Sequence, residues 1–99
     1  VDTTESLDGV PIRLTAERWL HIVENHDEVA GYYDEVLDVV AEPDIIVPGY
    51  GGSLVAIRSH GPRRYLCVVY RQVSRIDGFV ITAYFSRKIE RKKAIWKRS

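Results

Sequence analysis

Two histidines five residues apart, two arginines inside apolar runs and one cysteine are the side chains here that could do chemistry. His21 and His26 fall in a stretch with helical spacing. Five residues turn a helix by about 140°, so the two imidazoles leave different sides and cannot chelate one metal as an i, i+4 pair does. Imidazole titrates near neutral pH, which suits proton transfer. His26 falls on the apolar side with Trp19, Ile22 and Val23, and His21 on the polar side with Glu17, Glu24 and Glu28. His26 therefore reads either as an acid/base group or as a hydrogen-bonded histidine closing a core-facing helix. His21 reads either as its partner or as a surface residue. His60, beside the Gly61-Pro62 break, reads as exposed.

Arg58 and Arg71 sit among apolar neighbours. An arginine so placed either emerges on an open sheet face or pairs with an acid from the helices. Cys67 lies in the most apolar run and reads as buried and inert, with no base beside it. Gly49 to Gly52 is glycine-rich but lacks the lysine and following Ser/Thr of a phosphate loop, and it opens no helix, so it reads as a hairpin turn.

The elements that must position these residues are helices first, then strands. Val10 to Leu14 reads as a short strand or an ordered lead-in. Thr15 is a helix cap, and Ala16, Trp19, Leu20 and Val23 keep the i, i+3, i+4, i+7 spacing of a helix reaching about Asp27. A second helix is predicted from about Val29 to Ala41, with Gly31 arguing for a later start and Pro43 stopping it. Four strands follow: Asp44 to Val47, Leu54 to Ser59, Arg64 to Val73 and Phe79 to Ser86, with Asp77-Gly78 as a hairpin signal. The connections are too short for helical crossovers, so the strands should pair antiparallel. The expected fold is α+β, with two N-terminal helices packed on a four-stranded antiparallel sheet, in one domain over 1–99.

Alternation puts Tyr65, Cys67, Val69 and Arg71 on one face of the third strand, and Leu66, Val68, Tyr70 and Gln72 on the other. In the last strand it groups Val80, Thr82, Tyr84 and Ser86 against Phe79, Ile81, Ala83 and Phe85, the apolar set facing the helices. A face carrying Arg, Tyr and Thr suits a phosphodiester backbone.

The 99 residues are 45% apolar and 28% charged, which excludes a disordered chain. The apolar runs are far shorter than the roughly 20 residues that span a bilayer. A single cysteine excludes a disulfide scaffold and suits a reducing compartment, and no secretion signal is evident, so a cytoplasmic location is expected. The chain opens on Val1, as a trimmed chain or the last domain of a longer protein would. Net charge is zero, yet residues 1–50 carry twelve acids and two bases, and residues 51–99 carry two acids and twelve bases. That split either neutralises itself across the fold or makes one electropositive side, which would favour nucleic acid. The tail 87–99 holds seven bases and one acid. It reads as frayed, or as anchored by Ile95 and Trp96.

Three segments in order carry a resemblance: Trp19-Leu20-His21-Ile22 with His26-Asp27-Glu28, then Glu42-Pro43-Asp44, then Tyr65 to Arg71 followed by Gly78 to Tyr84. From about Ile12 to Trp96 the chain resembles the small phage and prokaryotic members of the barnase–EndoU–colicin–RelE-like (BECR) nuclease superfamily. That resemblance implies helices on a four-stranded antiparallel sheet. It also implies metal-independent endoribonuclease activity in toxin or phage systems, with no cofactor, and RNA plus an antitoxin or immunity protein as partners. Carried over by position, His26 is the leading acid/base and His21 its partner. Arg71, with Arg58, holds the phosphate, while Thr82 and Tyr84 orient it or a base. Arg63, Arg64 and Lys88, with Arg91, Lys92 and Lys93, attract the substrate. A proline often follows the second histidine in such sequences, and here Asp27 stands there. The competing expectation is a non-catalytic module of the same fold that binds RNA or protein.

Overall fold

Thr15 starts the first helix. Its hydroxyl accepts from the Arg18 N–H at 3.0 Å, a cap worth about 1 kcal/mol. In this computed structural model, which describes residues 2–99 and leaves Val1 outside, helix α1 runs Ala16–Asn25. It stops because His26 leaves the helical region at φ −139°, while its N–H still donates to the Ile22 carbonyl at 2.7 Å. A single 3-10 turn, Asp27–Val29, follows, and helix α2 is Tyr33–Ala41. The turn consumes the residues that periodicity assigned to the start of α2. Its own Val29 is fully buried, which accounts for the apolar signal there.

The strands are β1 Asp2–Glu5, β2 Pro11–Leu14, β3 Ile45–Pro48, β4 Leu54–Ser59, β5 Tyr65–Gln72, β6 Gly78–Ser86 and β7 Trp96–Lys97. They form one sheet in the order β1-β2-β6-β5-β4-β3-β7. β2 pairs β6 in parallel, and every other pairing is antiparallel. This corrects the expected fold. The chain is α+β, but its sheet is seven-stranded and mixed, not a four-stranded antiparallel one, and its helices are only ten and nine residues long. The antiparallel meander β3 to β6 lies inside that larger sheet.

The physical reasons for the difference are local. β1 reads Asp-Thr-Thr-Glu and has no apolar face; it is a strand because the turn through Gly9, at φ +79°, folds it back on β2. The parallel contact spans only Ile12 to Gly78 and Arg13 to Phe79, across more than sixty residues of chain. Gly78 permits it. A Cβ there would lie 2.6 Å from the Arg71 carbonyl and from the end of the Ile12 side chain. β7 joins the outer edge of β3 through backbone bonds, such as Ile95 N–H to the Ile46 carbonyl at 2.8 Å.

Both faces of the central strands are covered. The helices bury Ile12, Leu14, Ile22, Val36, Val40, Leu66, Val68 and Tyr70 on one face. On the second face Ile45, Val55, Ile57 and Cys67 form a smaller core, which Ile89 and Ala94 of the tail close. The tail therefore crosses this face as a strap from the end of β6 to the edge of β3. Its side-chain anchors are Ile89 and Ala94, while Ile95 stays 62% exposed. A face expected to be open and polar is thus largely apolar and partly roofed.

Candidate functional site

A β-bulge decides which side chains reach this second face. Val69 pairs Thr82, but the next residue, Tyr70, pairs Val80, leaving Ile81 as the extra residue. Such a bulge shifts the alternation by one. Val80 accordingly turns into the helix-side core at 1% exposure, and Phe79 stands opposite Arg71. The grouping of Val80 with Thr82 and of Ile81 with the helices is corrected by this shift. Beyond the bulge the expected sides hold. Tyr84 is opposite Cys67 on the second face, and Ala83 and Phe85 pack with the helix-side core.

Between the strap and the Pro48–Tyr50 turn lies a groove of about 590 Å³. Val47, Val55, Cys67, Val69 and Ile81 make its apolar floor, and Arg71, Tyr84, Ser86, Lys88, Glu90 and Lys93 bring polar atoms. Glu90, its one acid, is held by Lys93 at 3.1 Å. Burial raises the Tyr84 hydroxyl above its ordinary value. Burial likewise pushes the Cys67 thiol up to about 11, so it lies in the floor as a thiol.

His26 reaches this site from outside the sheet. Beyond Phe79 the outer edge of β6 has no strand partner, and the end of α1 and its following turn pack there. The imidazole centre sits 5.7 Å from that of Tyr84, with the planes 38° apart. Its Nδ1 is 3.7 Å from Glu28 Oε2, longer than a hydrogen bond. His21 is on the far surface of α1, in a shallow depression with Thr15, Glu17 and Arg18. The two histidines do not converge.

The arginines separate as well. Arg71 lines the groove, and one of its guanidinium nitrogens donates to the Gly51 carbonyl, bracing the turn whose Gly51 and Gly52 have φ of +63° and +83°. Arg58 pairs with Leu66 on the helix side and donates to the Glu42 carbonyl at 3.4 Å. Together with Arg98, 3.1 Å from the same carbonyl, it satisfies the end of α2. Arg58 and Arg71 are thus on opposite faces and cannot grip one phosphate. Thr82 shares Tyr84's side of β6, but Ile81 rather than Thr82 lines the groove.

Arg63 and Lys88 come together with Arg87, Phe85 and Ser86 around a second concavity, which holds three cations and no carboxylate. Ser86 and Lys88 line both hollows. Arg64 stacks over Phe85 nearby. His60 is half-buried against Tyr32 and Phe85 rather than free in solvent. Sequence reasoning passed over Ser86, Phe85, Tyr32 and Ile89. Only Ile89, an isolated aliphatic residue in a basic tail, left a signal. Among the described residues no three His, Cys, Asp or Glu side chains converge, and no helix is long and apolar enough to cross a membrane. Comparison with known families, with curated proteins and with solved structures yields no match.

Proposed function

We propose that this chain is a metal-independent endoribonuclease that cuts single-stranded RNA at the Tyr84 end of the groove. The observation carrying this reading is the contact of His26 with Tyr84 in a groove whose Ser86 and Lys88 also line a concavity of three cations that take part in no ion pair among the described residues. The order of the His26-Asp27-Glu28 and Gly78 to Tyr84 motifs, which resembles the nuclease superfamily, supports the same reading.

The chemistry follows from these groups. Neutral His26 takes the proton of a 2′-hydroxyl, and the 2′-oxygen bonds to the adjacent phosphorus. The bond from phosphorus to the 5′-oxygen breaks. Tyr84 gives that oxygen its proton, and solvent returns both groups to their starting states. Lys88 faces the charge that develops on phosphorus, Arg63 and Arg87 hold the backbone on one side of it, and Arg71, at the far end of the groove, holds the backbone on the other. Arg58 and His21 have no part in this scheme, and Arg64 does not act on the reacting phosphate. An antitoxin or immunity protein would act by covering this end of the sheet.

The test is incubation with RNA in excess EDTA followed by analysis of the ends. The expected products carry 2′,3′-cyclic phosphate and 5′-hydroxyl. RNA bound but left whole would replace this reading with the non-catalytic binding module.

A further inference from the structure

The cationic concavity opens onto an aromatic cluster that the proposed reaction leaves unused. Tyr32 precedes α2, His60 begins the β4–β5 connection, and Phe85 is on the helix side of β6. Their ring centres are 5.0 Å (Tyr32 to Phe85), 5.3 Å (Tyr32 to His60) and 5.5 Å (His60 to Phe85) apart. The Arg64 guanidinium carbon lies 3.9 Å over the centre of the Phe85 ring and 5.6 Å from that of Tyr32.

The connection holds Arg64 there. The His60 N–H donates to the Arg64 carbonyl at 2.8 Å, and the Arg64 N–H to the Gly61 carbonyl at 3.3 Å. This closure needs φ of +104° at Gly61 and +53° at Arg63, the latter a conformation that costs free energy for any residue with a Cβ. Arg64 is exposed and takes part in no ion pair among the described residues. One face of its guanidinium is covered by the Phe85 ring, on a residue that is exposed as a whole.

We infer that Arg64, backed by Phe85, Tyr32 and His60, is a nucleobase subsite that selects a guanine beside the phosphate held at Tyr84. The identity of the ligand rests on the ribonuclease reading. Phe85 takes one face of the guanidinium and holds the group flat, so that its N–H edge can meet the edge of an unpaired base in one plane. Selection comes from the edge. Arginine offers donors and no acceptor. Guanine presents two adjacent acceptors, O6 and N7, whereas adenine sets an N6 donor beside N7. The phosphate contact that such a nucleotide needs is already supplied by Arg63, Arg87 and Lys88. A free phosphate would use those three cations and leave the ring stack idle.

The experiment is fluorescence anisotropy with labelled 2′-O-methyl hexanucleotides, which 2′-attack cannot cut. They carry one guanine or one adenine in a uridine background. The protein should bind the guanine oligomer about ten-fold more tightly. Arg64→Lys, which keeps the charge and loses the planar fork, should bring guanine down to the adenine level and move adenine by less than two-fold. Phe85→Leu should do the same, both variants melting as folded proteins. Equal binding of the two oligomers by the unaltered protein, or a preference that survives Arg64→Lys, overturns the subsite. Cleavage assayed in parallel separates the two ideas. Guanine preference without cleavage keeps the subsite and removes the nuclease, and cleavage indifferent to guanine does the reverse.

Discussion

His26 owes its place to a helix that ends one residue before it, at an edge of the sheet where β6 has no strand partner. The proposed base is thus fixed by a backbone stop rather than by a loop, and its removal should cost catalysis without unfolding the chain. Tyr84→Phe keeps the ring and removes the donated proton, and should lower turnover by about 10²-fold or more. His21→Ala should leave turnover within two-fold, since its side chain is on the far surface of α1. Rates measured on the same RNA check both, and loss of activity in His21→Ala would return that residue to the site. The types of these residues were legible in the sequence. Helical rotation argued against the convergence of His21 and His26 but left His21 open as a partner, and it did not foresee that α1 ends before His26. The separation of Arg58 from Arg71 was not legible, because it needed the strand register that puts Arg58 opposite Leu66.

At the scale of elements, the bulge at Ile81 and the glycine at 78 shape β6. Neither was readable in advance: strict alternation gives the wrong side for Phe79, Val80 and Ile81, and Gly78 reads first as half of a turn signal. The meander itself was legible, because β4 and β5 are apolar enough to be buried on both faces and their connections are short. β1 and β7 were not, since one has no apolar side chain and the other only two residues. Gly78→Ala tests the packing at the parallel contact. Its Cβ would meet backbone at 2.6 Å, and the clash should cost about 1–3 kcal/mol. For a domain of this size each kcal/mol lowers Tm by about 4–8 °C. A thermal melt within a degree of the unaltered protein would contradict the close approach of β2, β5 and β6.

For the whole molecule, the raised pKa values of several buried or hydrogen-bonded acids act together. Burial pushes the Cys67 thiol up to about 11 and the Tyr70 hydroxyl to about 12, and Tyr33 reaches about 12 through its bond to the Asp2 carboxylate. In each case the folded chain keeps its proton at a pH where the unfolded chain has lost it. Stability is then full below about pH 9 and falls as pH rises from there toward 12. Urea midpoints should decline across pH 9–11, and a flat profile would contradict these burials.

The opposed charges of the two halves are not wholly spent on each other. Arg13 with Asp77 and Arg98 with Asp44 join them, whereas Arg63, Arg64, Arg87 and Lys88 have no carboxylate partner among the described residues. If three or four phosphates are held at this end, RNA affinity should fall about ten- to fifty-fold between 50 and 200 mM salt. Titrations at the two salt concentrations check this, and an unchanged affinity would remove the electrostatic part of the interface. The most direct test of the whole account is turnover of single-stranded RNA in EDTA by the unaltered protein and by His26→Ala. Cleavage by the first, reduced about 10²- to 10⁴-fold in the second while its melting transition stays in place, is the predicted result. Equal cleavage by both, or none by the unaltered folded protein, would contradict it.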